Sequence, residues 1–138
     1  MKIDKIMQRH VITLQVDEPL INAVEATASE RVRHLPILDG DRLVGIMSDR
    51  DITRATPSPL LGDQRPEYAR ILNTTLVSRI MRSAPITAPP DASLAEVVRL
   101  MVDNKIGAVP VVSDGRIVGI VSELDIMRTF LRMLEVIE

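Results

Sequence analysis

The chain has 138 residues, 17 basic against 19 acidic, and a formal net charge of −2 at pH 7 without a run of like charge. That balance gives no electrostatic footprint for duplex nucleic acid or an anionic membrane, and the absence of cysteine excludes disulfides, thiol catalysis and cysteine-ligated metals. Hydrophobic residues make up 46% but aromatics only 1%, Tyr68 and Phe130 alone, so a core must be packed from aliphatics and methionine.

The opening stretch MKIDKIMQRHVITL carries charges throughout and has no apolar run of signal-peptide length, so a cytoplasmic protein is expected. Its end, VITL at 11–14, is short and β-branched and predicts a strand. LINAVEATA, from Leu20, places apolar residues at 20, 23, 24 and 28, the spacing of a helix face. LPILDGDRLVGIMS, ending at Ser48, sets two apolar runs around a turn rich in Asp and Gly, which predicts a hairpin. Asp51 follows Ser48 by three positions, at the head of an apolar helical pattern. The stretch TPSPLLGDQRPEYARILNTT at 56–75 carries three prolines and reads as a linker, with EYARIL as a helical turn.

Beyond it the order of signals recurs. Ser93 followed by Glu96 forms a capping box, and Leu94, Val97, Val98, Met101 and Val102 form a helical stripe. VPVVSDGRIVGIVS, ending at Ser122, predicts a second hairpin, and Asp125 again follows by three positions. The final IMRTFLRMLEVIE extends an apolar stripe through Ile126, Phe130, Met133, Leu134 and Ile137, which fits either internal packing or a dimer surface. Met7, Met47, Met81, Met101, Met127 and Met133 fall at apolar positions and read as core filling.

One offset of 74 residues accounts for the recurrence: it takes Pro36 to Pro110, Gly45 to Gly119, Ile6-Met7 to Ile80-Met81, and Ser48, Asp51 and Arg54 to Ser122, Asp125 and Arg128. The chain is therefore a duplication of a β-α-β-β-α unit, with copies at 1–55 and 76–138 and a linker at 56–75. One copy is too small to cover its own apolar faces. Pairing the two predicts one α/β domain with an internal pseudo-twofold axis.

The repeated Ser-x-x-Asp has two readings. It is a capping box, in which the serine oxygen accepts an orphan backbone N–H and the aspartate accepts one in return. It is also a place, at a strand end and behind a glycine, where a carboxylate can take the two hydroxyls of a ribose. Around the first pair stand Arg33, His34 and Arg50, possible phosphate donors, where the second copy has Gly107, Ala108 and Leu124.

The paired IM at 6 and 80, VIT and PIT at 11 and 85, RHLPILD and GAVPVVS at 33 and 107, and the two G-I-x-S-x-x-D-I stretches resemble the cystathionine-β-synthase (CBS) domain. Two copies in tandem resemble a Bateman module, and SDRD with the long inter-repeat segment is similar to stand-alone proteins of the acetoin-utilisation B type. The resemblance implies a regulatory module that binds AMP, ADP, ATP or S-adenosylmethionine in clefts between the copies, without catalysis. It implies that Ser48, Arg50 and Asp51 with Arg33 and His34 form one half-site, completed by Ile86, Thr87, Gly107 and Ala108. The reciprocal site would use Ser122 and Asp125 with Ile12 and Thr13, and Pro36 and Pro110 belong to the stretches that line the adenine. Gly107, Ala108 and Leu124 put phosphate binding at the second site in question.

His10 and His34 are the only histidines, and neither has a ligand cluster in sequence, so no metal, cofactor or nucleophile–base pair is expected. The remaining partners expected are a second copy of the chain and an unidentified target protein. The rival reading is a purely structural dimerisation module whose Ser-x-x-Asp pairs are caps alone.

Overall fold

A computed structural model describes residues 1–57 and 65–138. Residues 58–64, the proline-rich part of the expected linker, lie outside the described residues. The elements are β1 (Leu14–Gln15), α1 (Leu20–Ser29), β2 (His34–Asp39), β3 (Arg42–Ser48), α2 (Asp49–Ala55), α3 (Arg65–Thr74), β4 (Arg82–Ser83), α4 (Leu94–Asn104), β5 (Ala108–Ser113), β6 (Arg116–Ser122) and α5 (Glu123–Ile137). The fold is mixed α/β, and it divides into two compact units: Ile12–Ala84, and Met1–Val11 with Pro85–Glu138.

Both predicted hairpins form. In the first unit β2 and β3 pair antiparallel from His34↔Ser48 to Asp39↔Arg42, with a register shift at Ile37/Leu38. In the second, β5 and β6 pair from Ala108↔Ser122 to Ser113↔Arg116, with the shift at the equivalent Val111/Val112. The second hairpin turns on Asp114 and Gly115, both left-handed at φ 53° and 76°, a conformation that Asp tolerates and Gly adopts freely. β1 joins the first hairpin in parallel beside β2, and β4 joins it antiparallel beside β3. The second unit repeats the arrangement with single bridges, Ala88↔Val111 in parallel and Gln8↔Ile120 antiparallel.

Compactness and duplication divide the chain at different points, because each copy sends its lead-in to the body of the other. Ile3 and Met7 are buried with Val97, Val109, Val111 and Val121 in the core of the second unit, and the Ile3 N–H donates to the Ala92 carbonyl at 3.0 Å. Seventy-four positions later Val77 is fully buried with Leu20, Leu35, Ile37 and Met47 in the core of the first unit, and its N–H donates to the Glu18 carbonyl at 2.9 Å. Burial of an aliphatic side chain of this size contributes ~1.5–3 kcal/mol, enough to fix where a lead-in docks.

This exchange explains the repeated glycines. A Cβ on Gly119 would lie 2.6 Å from the Met7 Sδ, and one on Gly45 would overlap the Met81 thioether. At both glycines the close approach is made by a methionine of the incoming lead-in.

Two other expectations change. EYARIL is part of a ten-residue helix rather than a single turn, because Leu72 is buried in the first unit's core and Ile71 packs against it. Met7, Met47 and Met101 fill cores, but Met127 is 62% exposed and Met133 45% exposed, since the face of α5 that carries them turns outward. Phe130, Leu131, Val136 and Ile137 are also exposed, so the C-terminal stripe packs internally only through Ile126 and the partly covered Leu134. No helix among the described residues is long and apolar enough to cross a membrane.

Candidate functional site

The two Ser-x-x-Asp stretches both form capping boxes at the strand-to-helix junctions β3–α2 and β6–α5. At the first, the Ser48 N–H donates to Asp51 Oδ2 at 2.8 Å and the Asp51 N–H donates to Ser48 Oγ at 3.2 Å. At the second, the Ser122 N–H and hydroxyl donate to Asp125 Oδ2 at 2.8 and 3.0 Å, and the Asp125 N–H donates to Ser122 Oγ at 3.4 Å. A backbone bond fixes each junction to the start of its hairpin: the Asp49 N–H donates to the Arg33 carbonyl at 2.9 Å, and the Glu123 N–H to the Gly107 carbonyl at 3.0 Å.

Capping occupies one carboxylate oxygen and leaves the other. Both aspartates are buried, at 9% and 6% exposure, and in each the free Oδ1 turns toward a side chain of the exchanged lead-in. Asp51 Oδ1 faces Arg82 Nε at 3.6 Å and Arg54 Nη1 at 4.0 Å. Asp125 Oδ1 instead accepts a hydrogen bond from the neutral Gln8 amide at 3.0 Å. Among the described residues no ion pair reaches Asp125.

The first unit thus brings together Ser48, Asp51, Arg54 and Arg82, with Arg50 exposed on α2 and His34 at the start of β2, paired across the hairpin with Ser48. Arg33 and Asp49 border a cavity of about 420 Å³ lined also by Val24, Thr27, Arg31 and Val32. Ile12 and Thr13, half-buried ahead of β1, belong to the same unit, and Ile12 packs on its core. The second unit holds Ser122 and Asp125 with Gly107 and Ala108, the half-buried Ile86 and the exposed Thr87. Pro36 and Pro110 are fully buried in their hairpins. A larger cavity of about 570 Å³ lies away from Ser122 and Asp125, between α4 and α5, lined by Met1, Leu94, Val98, Val102 and Met133 among others.

Sequence reading missed Arg82 and Gln8. The signal was present, since both follow an Ile-Met pair and stand 74 positions apart. What local pattern does not convey is that each lead-in crosses to the aspartate of the other copy. Among the described residues no group of three His, Asp or Glu side chains is arranged to hold a metal ion.

A family model described as CBS domain matches residues 3–58 and again 77–132. A CBS domain-containing protein of Dictyostelium discoideum is 30% identical over 135 residues, covering 96% of this chain and 93% of that protein. Among solved structures, a putative acetoin utilization protein (AcuB) from Vibrio cholerae is similar with a TM-score of 0.79 and 29% identity, over 98% of this chain and 93% of that one. The CBS domain pair of protein MJ0100, solved in complex with 5′-methylthioadenosine and S-adenosyl-L-methionine, has a TM-score of 0.80 and 30% identity over 96% and 98% of the two chains. With both copies matched and the capping junctions in place, the chain belongs to the CBS domain family, as a tandem pair.

Proposed function

We propose that the chain is a regulatory module that binds an adenosine-bearing ligand, an adenine nucleotide or S-adenosylmethionine, and passes the binding event to a partner protein rather than catalysing a reaction. The observation that carries this reading is the buried Asp51 and Asp125 pair, each capping a helix with Oδ2 while Oδ1 is directed to a polar side chain. A carboxylate so oriented can exchange that side chain for the hydroxyls of a ribose at no cost to the cap. The adenosyl compounds bound to the CBS domain pair of protein MJ0100 support the same class of ligand.

In this reading Ser48, Arg50 and Asp51 with Arg33 and His34 form the first contact set, and Ser122 with Asp125 the second. The copies at 1–55 and 76–138 are the duplicated units, and the module works in the cytoplasm as a homodimer through the exposed apolar face of α5, where Leu124, Met127 and Leu131 lie on one side. Light scattering that returns a monomer at micromolar concentration removes the dimer.

Thermal melting with AMP, ADP, ATP and S-adenosylmethionine, with and without magnesium, tests the central point. A ligand of the native state at a hundredfold excess over its Kd adds about 2.7 kcal/mol of stability. A structural module with empty sites gives no specific shift with any of the four, and turnover of nucleotide in the presence of magnesium would replace the regulatory reading with an enzymatic one.

A further inference from the structure

The two aspartates share their caps and differ in the side chain brought to Oδ1. Arg82 comes to Asp51, and Gln8 comes to Asp125. Around Asp51, the two guanidiniums of Arg54 and Arg82 face one carboxylate, which leaves an excess of positive charge. Neither contact is short enough to be a hydrogen bond, and the Arg82 side chain is 60% exposed, so most of its donors remain available. Around Asp125 the partner is an uncharged amide, and the carboxylate keeps its negative charge uncompensated by any ion pair among the described residues. The acidic residues at the helix starts, Asp49 and Glu123, are matched between the copies and so do not offset the difference.

We propose that the residue after each Ile-Met pair, Arg82 or Gln8, sets the charge of ligand accepted at the aspartate it faces. The Arg82 side selects an adenosyl compound carrying phosphate. The Gln8 side selects one that is uncharged or cationic. The assignment rests on the adenosyl reading above and adds to it the residue that decides ligand charge at each aspartate. Guanidinium supplies a planar fork of donors that matches phosphate oxygens, whereas an anion beside Asp125 would meet like charge with only an amide to bridge it.

Reciprocal exchange tests this. Titration calorimetry would compare AMP with adenosine on the wild type and on Arg82→Gln, Arg82→Lys and Gln8→Arg. The exposed Arg82 takes glutamine without a packing conflict, since glutamine occupies the equivalent position 8, and far-UV circular dichroism with a melting curve verifies the fold of each variant. Arg82→Gln should weaken AMP by about tenfold while adenosine changes by less than about threefold, and Gln8→Arg should strengthen AMP at the weaker site by a similar factor. Arg82→Lys, which keeps the charge, should retain the preference for AMP. Folded variants with an unchanged ratio of AMP to adenosine affinity would overturn the charge assignment and leave the adenosyl reading intact. A wild type that binds neither compound would overturn both.

Discussion

Asp51 and Asp125 do the same structural work with different surroundings. Both are buried, both take a backbone N–H of the capping serine on Oδ2, and both sit where a backbone bond ties the helix to its hairpin. The difference lies in Oδ1, which meets two arginines in one unit and a glutamine in the other. Capping does not bar either aspartate from a second contact, since a carboxylate has two oxygens and capping uses one. It also separates what duplication preserved, the junction, from what diverged, the charge delivered by the exchanged lead-in.

The largest expected effect concerns the exchange itself. Ile3→Ala should destabilise by about 2–5 kcal/mol, as for other buried Ile-to-Ala truncations. Hydrogen exchange should locate the loss of protection in 85–138, the partner of the lead-in, and not in 12–55, the rest of the copy to which Ile3 belongs by sequence. Loss confined to 12–55 would break the comparison at its root.

Next in size is the cost of removing a cap. Ser48→Ala and Ser122→Ala should each lower stability by ~1 kcal/mol in thermal or urea unfolding, because each deletes the acceptor for an orphan N–H at N3. Ser122→Ala should cost the more of the two, since Ser122 also donates its hydroxyl to Asp125 Oδ2. Equal costs would place little weight on that additional bond.

The smallest effect comes from α3, in the segment between the two copies. The Arg70 guanidinium, hydrogen-bonded to Glu67, holds the Glu67 carboxyl below its ordinary value. A depressed folded value means that the contribution is present above the ordinary glutamate pKa and fades as pH falls through the folded value. The pair is exposed, so Glu67→Gln should flatten the acid limb of a stability–pH curve only slightly. A large change would mean that α3 matters more to the first unit than its surface suggests.

Much of this architecture was legible in residues. Hairpins announced themselves through paired apolar runs and the Asp-Gly turn, and Ser93 with Glu96 marked the start of α4 because both halves of a capping box lie within one turn. The destination of the lead-ins was not legible, since Ile3 and Val77 choose their cores by tertiary packing and nothing in their neighbours records the choice. α3 was underestimated because the prolines around its start outweighed Ile71 and Leu72, which among the described residues anchor it in the first unit's core. The aspartates were found by repetition, whereas Arg82 and Gln8, equally related by the offset, lacked a conserved identity to draw notice.

The most direct measurement is calorimetric titration of AMP into the wild type and into Asp51→Asn and Asp125→Asn. Asparagine keeps an acceptor for the cap but loses the charge-assisted bonds to ribose hydroxyls, so the fold should survive both changes. Asp51→Asn is expected to weaken the tighter AMP event by about tenfold or more, and Asp125→Asn to leave that event in place. Unchanged AMP binding in both folded variants would return Asp51 and Asp125 to capping alone, and a tighter event lost only with Asp125→Asn would reverse the assignment of phosphate to the arginine-flanked aspartate.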